Sequence, residues 1–221
     1  MTGEQLKALE SRLWKAADDL RANSKLTATE YSFPVLGIIF LRHAHNRFVT
    51  AKVEIEKSLP VHPTRGVRPM TKNDFLDAKA IFLPENSRWD TIVDLPDSSD
   101  LGEYLNEAMR NIESEYEDLL GVLPKSYNLF EKELLQRLIR IFNDRALDDM
   151  PGDAFGQIYE YFLNKFAMSG AQEGGEFFTP PSLVKTIVNI IEPNNGIVLD
   201  PAAGSAGMFV QTAHFIEQDG F

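Results

Sequence analysis

A turn of small residues lies between an apolar run and a helix-like stretch near the end of the printed sequence. It reads GIVLDPAAGSAGMF over residues 196–209. Gly204 and Gly207 place no side chain where the backbone must approach a ligand closely. The N–H groups at the start of the following helix can hold a carboxylate or a phosphate, and Asp200 can accept hydrogen bonds from an ammonium or a hydroxyl. The pattern predicts a ligand site, although such a turn can also serve packing alone.

A second candidate precedes this turn and reads GGEFFTPP over residues 174–181. Thr179 is a good helix N-cap, with Pro180 at the first helical position. Phe177 and Phe178 could instead act as a hydrophobic staple that packs onto the helix, and this is the alternative to a ligand site. Only one helix separates Thr179 from Asp200. The helix start and the glycine turn could therefore face one pocket from two sides.

The elements that must position these residues follow from the pattern of residues 151–221. An aromatic-rich stretch predicts a short helix that ends near Gly170. Apolar residues at helical spacing predict a second helix, and its predicted apolar face consists of Leu183, Val184, Ile187, Val188 and Ile191. Ile197 to Asp200 reads as a short buried strand, and MFVQTAHFIEQ as a helix. Strand, glycine turn and helix form the opening of an α/β nucleotide-type domain.

Residues 1–150 are predicted to be all helical. The first helix has a stripe made of Leu6, Leu9, Leu13, Ala16, Ala17 and Leu20. Thr27 and Glu30 have the spacing of a capping box for a second, buried helix. Pro34 fits only near the first turn of a helix, which favours a start closer to Ser32.

The rest of this region alternates between loops and helices. The stretch from Leu59 to Pro69, rich in proline, predicts an exposed loop or linker. Helices are expected at Arg88 to Val93, Leu101 to Leu120 and Leu129 to Leu147. The last of these has a predicted apolar face of Leu134, Leu135, Leu138, Ile141 and Phe142.

Composition and charge exclude several classes of protein. The 221 residues are 43% hydrophobic and 25% charged, which is typical of a globular protein, and cysteine is absent. The net charge is −11, and residues 151–221, with eight acids and two bases, contribute −6 of it. Because the sequence has no basic block, the chain by itself is not expected to bind the phosphates of a nucleic acid. His43 and His45 are two positions apart, cannot share a helix face, and predict no metal site.

Several stretches together resemble the methylation subunit of type I restriction–modification systems, an N6-adenine DNA methyltransferase. DPAAGSAGMF resembles motif I of amino-methyltransferases, and GGEFFTPPSLV resembles motif X. Residues 13–48, from LWKAADDL to HAHNRF, look like the start of that subunit, and PENSRWDTI and DAFGQIYEYFLNKFA look like later parts. Ala206 stands in place of the more usual glycine of the turn, and this variant is also typical of the methylation subunit.

The resemblance implies a fold and a cofactor. It implies an α-helical amino-terminal domain over residues 1–150, followed at residues 151–221 by the beginning of a truncated α/β, Rossmann-like, S-adenosylmethionine-dependent methyltransferase domain. Motif X implies that Glu176, Phe177, Phe178, Thr179, Pro180 and Pro181 line the methionine end of S-adenosylmethionine. Motif I implies Asp200, Ala203, Gly204, Ser205, Ala206 and Gly207 around the same moiety.

Two parts of the family pattern are missing from the printed sequence. The Asn-Pro-Pro-Phe/Tyr motif, which in the family holds the target amino group and stacks on a flipped base, does not occur, so no catalytic residue is assigned. The acid that would bind the cofactor ribose is absent too. A single parallel strand cannot bury both faces. We therefore expect an amino-terminal fragment of a longer subunit, inactive alone.

The favoured interpretation is a subunit that methylates adenine N6 at a specific site in duplex DNA. The resemblance implies a specificity subunit and a restriction subunit as partners, with DNA reached through the assembled complex. A signal peptide is not visible, and the longest apolar run is about half a membrane span, so a cytoplasmic protein is expected. The alternatives are a stand-alone gamma-type adenine methyltransferase acting on DNA or RNA, and a non-catalytic helical assembly module.

Overall fold

A computed structural model of the chain describes residues 3–59, 61–62, 66–148, 150, 152–174, 179, 181–194, 196–203 and 206–219. The chain divides into two compact units, Met1–Phe162 and Leu163–Phe221. In the described part, the first unit is helical apart from one small hairpin, and the second consists of helices joined by turns.

The helices are α1 (Gly3–Ala22), α2 (Ala28–Ser58), α3 (Lys72–Asp77), α4 (Trp89–Val93), α5 (Leu101–Glu115), α6 (Lys132–Phe142), α7 (Gly152–Gly174), α8 (Pro181–Ile191) and α9 (Gly207–Asp219). Single 3-10 turns lie at Glu85–Ser87, Glu117–Leu119, Tyr127–Leu129 and Arg145–Leu147. The strands β1 (Val61–His62) and β2 (Gly66–Val67) pair antiparallel. None of the helices in the described ranges is long and apolar enough to cross a membrane.

Helix α1 follows the predicted stripe. Leu6, Leu9, Leu13 and Ala17 are buried in the first unit. Trp14, beside the stripe, meets the ring of Phe162 edge to face, with ring centroids 5.4 Å apart. The alternation of apolar and charged residues at helical spacing is therefore sufficient to orient this helix.

Helix α2 begins where the capping box predicts. The Thr27 N–H donates to Glu30 Oε2 at 2.9 Å, and the Glu30 N–H donates to Thr27 Oγ1 at 3.3 Å. The expected start closer to Ser32 is wrong, because the helix begins at Ala28 and contains Pro34 in its interior. The capping box decides the start here, since a proline removes only one backbone donor from the helix.

The prediction that α2 is a buried helix is confirmed for most of its apolar run, although Phe33 is 63% exposed. Val35, Ile38, Ile39 and Leu41 are fully buried. The Tyr127 hydroxyl donates to the Pro34 carbonyl oxygen at 3.1 Å. This bond joins α2 to the segment that precedes α6.

The all-helical prediction for residues 1–150 is wrong in one place. The stretch predicted as a loop from Leu59 to Pro69 contains the hairpin β1–β2, in which Val61 pairs with Val67 and His62 with Gly66. Two residues per strand are too few to produce a recognisable alternating pattern in the sequence. Such a short ladder depends on the chain on either side of it.

Helices α4, α5 and α6 agree with the predictions in place and differ at their ends, whereas the short helix α3 was not predicted. Helix α5 stops at Glu115 and α6 covers Lys132–Phe142, and 3-10 turns occupy part of the predicted ends. On α6, Leu135, Leu138, Ile139 and Phe142 are buried, whereas Leu134 and Ile141 are half-buried. Helix ends depend on local capping and fraying, which apolar periodicity does not report.

The second unit lacks the predicted strand. Residues Ile197 to Asp200 form no strand, and Ile197 and Leu199 are 100% and 85% exposed. An extended segment becomes a strand only when a neighbour supplies hydrogen bonds, and none of the described residues of this unit does so. The expected α/β character is therefore not seen, and the second unit is helical over its described residues.

Candidate functional site

The described residues just before α9 form local hydrogen bonds, one of them to the Asp200 side chain. Asp200 Oδ1 accepts a hydrogen bond from the backbone N–H of Ala202 at 3.0 Å, forming an Asx turn. The Ala206 N–H donates to the Ala203 carbonyl oxygen at 2.7 Å, and the Val210 N–H donates to the Ala206 carbonyl oxygen at 3.1 Å. These three bonds join described residues among 200–203 and 206–210.

Ala206 occupies the position where the turn needs glycine-like freedom. Its φ is 61°, in the left-handed region that a residue with a Cβ adopts only at a cost of about 1–2 kcal/mol. The residue directly precedes Gly207, the first residue of α9. Small side chains at both positions suit a site in which the backbone N–H groups of a helix start bind an anion.

Two features of this turn suit an amino-acid ligand. The first turn of α9 presents backbone N–H groups that have no partner within the helix, and these attract a carboxylate. Asp200 is half-buried, and its carboxylate is suited to an ammonium. The two groups have the opposite polarities that the two ends of an α-amino acid require.

Helix α8 supplies the other predicted part of the site. It covers Pro181–Ile191, and Thr179 is exposed and lies outside it, whereas Pro180, the predicted first helical residue, lies outside the described residues. Val184 and Val188 form its buried side, and α8 packs against α9 within the second unit. The other members of the predicted face are less buried, because Leu183 and Ile191 are 49% and 61% exposed.

The structure describes only some of the predicted site residues. Thr179, Pro181, Asp200, Ala203, Ala206 and Gly207 are described. Glu176, Phe177, Phe178, Pro180, Gly204 and Ser205 lie outside the described residues. That the start of α8 and the glycine turn share one pocket stays a prediction.

Sequence reasoning missed a buried polar cluster in the first unit. Arg42 on α2 is 3% exposed and donates from Nε to the Phe142 carbonyl oxygen at 3.1 Å and from Nη1 to Asn46 Oδ1 at 2.5 Å. Its Nη2 forms an ion pair with Asp148, and its guanidinium lies 5.6 Å from the centre of the Trp89 ring. The sequence signal that could have revealed this cluster is the pair Arg42 and Asn46, which are one helical turn apart in a largely apolar helix.

Both histidines of α2 have structural roles. His45 Nδ1 accepts a hydrogen bond from the Trp89 N–H at 3.2 Å, and the His43 ring lies 4.9 Å from the Phe155 ring. Burial is the main cause that lowers the pKa of each below its ordinary value, with nearby arginines adding to it. Within the described part of the chain, no three residues of the metal-ligating types lie together.

A surface groove of about 390 Å³ lies elsewhere in the first unit. It is located between the start of α5 and Lys132, and it is lined mainly by Ser98, Ser99 and Asp100 on one side and Phe130 on the other. The Asp100 carboxylate is already used as the cap of α5, accepting from the Glu103 N–H at 3.1 Å. The groove contains none of the residues predicted for the ligand site.

Two protein families match the chain in order. The HsdM N-terminal domain matches residues 9–142, and the N-6 DNA Methylase domain matches residues 150–220. A helical HsdM domain followed by the start of a methylase domain defines the class of protein. The chain belongs to the family of type I restriction enzyme methylase subunits.

Relatives with this description come from archaea and bacteria. The MjaIX methylase subunit of Methanocaldococcus jannaschii is 36% identical over 96% of this chain. The HindI methylase subunit of Haemophilus influenzae is 34% identical over 61% of the chain, and the EcoKI methylase subunit of Escherichia coli K12 is 24% identical over 95%. The alignments cover 40%, 35% and 35% of those proteins, so the chain spans well under half of their length.

Proposed function

We propose that this chain is part of a subunit that transfers a methyl group from S-adenosylmethionine to the N6 amino group of adenine at a specific site in duplex DNA. The observation that carries the proposal is the pair of local hydrogen bonds just before α9, from the Ala202 N–H to Asp200 Oδ1 and from the Ala206 N–H to the Ala203 carbonyl oxygen. Membership of the type I methylase family supports the reaction class.

The residues of this turn suit the methionine end of the cofactor, which when bound supplies the methyl group. The N–H groups at Gly207 and in the first turn of α9 would hold the carboxylate, because a helix N-terminus carries partial positive charge. Asp200 would face the ammonium while the Ala202 N–H keeps its carboxylate oriented. Ala203, Gly204, Ser205 and Ala206 would leave room for the backbone to approach.

The motif X residues would complete this end of the pocket. Glu176, Phe177, Phe178, Thr179, Pro180 and Pro181 precede or begin α8, and α8 packs against α9. We propose a Rossmann-like α/β fold for the complete methyltransferase domain, in which Ile197 to Asp200 gains neighbouring strands. The segment from Ile197 to Leu199 is apolar, and its β-branched residues are suited to a strand that is buried on both faces.

Catalysis requires groups that this chain does not contain. The printed sequence has no Asn-Pro-Pro-Phe/Tyr motif, so the residues that would hold the target adenine are not among those printed. The acidic surface, with a net charge of −11, also fits a subunit that reaches DNA through others. We propose a specificity subunit and a restriction subunit as those partners, in the cytoplasm.

The test uses the complete subunit with its specificity subunit, unmethylated DNA and S-adenosylmethionine carrying a tritiated methyl group. Transfer to adenine N6 is expected, and Asp200→Ala is expected to weaken cofactor binding at least about tenfold, since charged hydrogen bonds contribute about 1.5–3 kcal/mol. Glu192→Gln, an exposed change at the end of α8, is the matched control and should bind normally. Transfer to cytosine, or equal binding by Asp200→Ala, would contradict the assignment.

A non-catalytic assembly module is the second candidate, and one observation favours it. Most of the fully buried side chains lie in the first unit, which matches the HsdM N-terminal domain and contains none of the cofactor residues. If this candidate is correct, the complete subunit will bind its partner subunits and transfer no methyl group.

A further inference from the structure

A short stretch of chain lies between the two family matches. The HsdM N-terminal domain matches residues 9–142, and the N-6 DNA Methylase domain begins to match at residue 150. Residues 143–148 of this stretch are described, contain the 3-10 turn Arg145–Leu147, and are called the connector below. Chain between two domains is commonly exposed and flexible, and the connector differs from that expectation.

Two side chains of α2 hold the connector at its beginning and at its end. Arg42 Nε donates to the carbonyl oxygen of Phe142, the residue directly before the connector, at 3.1 Å. Arg42 Nη2 forms an ion pair with Asp148, the last residue of the connector. Asn46 donates to the Leu147 carbonyl oxygen and accepts from Arg42 Nη1, so the two side chains of α2 orient each other.

Two further helices of the first unit reach the connector. Trp89 Nε1, at the start of α4, donates to Asn143 Oδ1 at 3.0 Å. Arg12 on α1 forms an ion pair with Asp144, with 2.7 Å between Nη2 and Oδ2. The Leu147 side chain is fully buried. The connector is therefore fixed to three helices and forms part of the packed first unit.

The first turns of α7 are also built into the first unit. Helix α7 begins at Gly152, inside the stretch that matches the methylase family. Phe155 and Phe162 are buried, and the centre of the Phe155 ring lies 4.9 Å from that of His43. The centre of the Phe162 ring lies 5.6 Å from that of Phe142. The first unit accordingly extends to Phe162, so the family boundary is not a boundary of packing.

Helix α7 leads from the connector to one of the predicted cofactor motifs. It ends at Gly174, which is the first residue of GGEFFTPP, the stretch that resembles motif X. In an α-helix each backbone N–H is bonded to the carbonyl oxygen four residues earlier, so successive turns move together. A shift in the first turns of α7 therefore changes the place at which motif X begins.

The chemistry of Arg42 favours a role in geometry over a role in stability alone. Its side chain is 4% exposed, and it carries a charge into the interior of the unit. Replacing a buried ion pair by apolar residues of similar volume is often neutral or stabilising, so stability by itself does not require one. A planar guanidinium with five donors, by contrast, fixes several acceptors relative to one another. Here those acceptors lie on both sides of the connector.

We propose that Arg42 is a positioning residue for cofactor binding, which acts through the connector and α7 on the place at which motif X begins. Arg42 itself takes no part in methyl transfer. The proposal rests on the proposed function, since motif X matters only in a subunit that binds S-adenosylmethionine. It adds a task for the helical domain, which is to hold the first turns of the methylase domain in a defined position.

The first experiment measures methyl transfer to unmethylated DNA by the complete subunit with its specificity subunit, at varied concentrations of S-adenosylmethionine. Arg42→Met is expected to raise the KM for S-adenosylmethionine at least about fivefold and to change kcat by less than about twofold, because ground state and transition state lose the same binding. Calorimetry should show the same loss of affinity for the cofactor. Arg42→Lys keeps the charge and part of the donor set, and it should recover part of the affinity.

Glu113 on α5 offers a matched control for the loss of stability. Its side chain is 8% exposed, and Oε1 accepts from the Leu123 N–H at 2.9 Å and from Lys125 Nζ at 2.6 Å. Glu113→Met therefore also removes a buried charge and its hydrogen bonds, but neither partner belongs to the connector. The KM for S-adenosylmethionine should stay unaltered in this variant. An equal rise in both variants would show that lost stability weakens cofactor binding, and it would overturn the proposal.

Hydrogen exchange of residues 155–168 tests the intermediate step. Their amides should exchange faster in Arg42→Met and at the wild-type rate in Glu113→Met, because local opening depends on the contacts that hold each segment. Thermal melting shows whether each variant folds. If Arg42→Met does not fold, Asn46→Ala and Trp89→Phe replace it, since each removes one bond to the connector and leaves Arg42 in place.

The positioning role and the proposed function fail in different ways. A wild-type complex that transfers no methyl group contradicts the function, and calorimetry with S-adenosylmethionine then still tests the positioning role, since cofactor binding needs no DNA. A wild-type complex that transfers methyl groups, together with unchanged KM and unchanged exchange in the connector variants, overturns the positioning role alone.

Discussion

Arg42 Nε donates a hydrogen bond of 3.1 Å to the carbonyl oxygen of Phe142, the last residue of α6. The bond joins α2 to the end of a helix one hundred positions later in the chain. The same guanidinium reaches Asn46 and Asp148. One buried cation therefore connects three parts of the first unit.

Removing this cation is expected to destabilise the protein. Arg42→Met keeps an apolar stem of similar length but leaves the Phe142 carbonyl and Asn46 without their donor, at a cost of about 2–4 kcal/mol. Urea denaturation followed by circular dichroism measures the free energy of unfolding. Arg110→Met, which breaks two exposed ion pairs on α5, is the control and should change it little.

A methyl group at Gly37 is expected to disturb the contact between α2 and the segment before α6. A Cβ there would overlap the Tyr127 hydroxyl and Pro124, so the hydrogen bond from Tyr127 to Pro34 would be displaced. We expect Gly37→Ala to lower the free energy of unfolding by about 1–3 kcal/mol. Gly156→Ala on α7 is the matched control, because nothing lies within 4 Å of its Cβ position. It should be neutral or stabilising, by up to about 1 kcal/mol.

The first unit is expected to lose stability as the pH falls below about 6.5, the pKa of histidine in an unfolded chain. Burial lowers the pKa of His45 in the folded state, and its Nδ1 accepts from the Trp89 N–H. The unfolded chain therefore binds the proton first, which favours unfolding until the pH passes below the folded pKa. The free energy of unfolding is expected to be lower at pH 5.5 than at pH 7.5. The difference is expected to be smaller in His45→Gln than in the wild type.

Two comparisons make this test specific. His43 has a pKa shifted in the same direction, so His45→Gln should retain part of the pH dependence. His214→Gln, which changes an exposed histidine of α9, is the control for replacing a histidine elsewhere in the chain. Equal slopes in wild type and His45→Gln would show that His45 titrates normally.

The 221-residue chain by itself is expected to transfer no methyl groups to DNA, because it contains no Asn-Pro-Pro-Phe/Tyr motif. It should also bind S-adenosylmethionine weakly, with a dissociation constant above about 1 mM, since half of a pocket offsets little of the entropy lost on binding. Tritium transfer and calorimetry measure the two properties. Micromolar binding would show that residues 174–207 already form a complete pocket.

In the complete subunit, Gly204→Asp is expected to abolish cofactor binding. Its carboxylate would fill the space that the methionine end needs and would repel the carboxylate of the cofactor. Calorimetry of the variant beside wild type checks this, and thermal melting shows whether the variant folds. Gly156→Ala serves again as a control, because α7 begins far from the turn in the sequence and its Gly156 is exposed. Unchanged affinity in Gly204→Asp would remove motif I from the site.

Local sequence determined much of the first unit. The stripe of α1 and the capping box of Thr27 and Glu30 were readable because helix periodicity and capping involve residues three or four apart. The order of the two motifs around α8 likewise indicated the protein family. The sequence indicated which residues are candidates for the site, and that they form a cofactor pocket stays a prediction.

Only the tertiary structure decided the features that depend on distant residues. These features are the hydrogen-bond partners of Arg42, the burial of His45 and the packing of Gly37 against Tyr127. Each depends on segments about fifty to one hundred positions apart, which no local sequence pattern reports. The same reason explains the missing strand at Ile197 to Asp200. The residues have strand propensity, but a strand exists only when a second segment pairs with its backbone, and that pairing is a property of the folded chain.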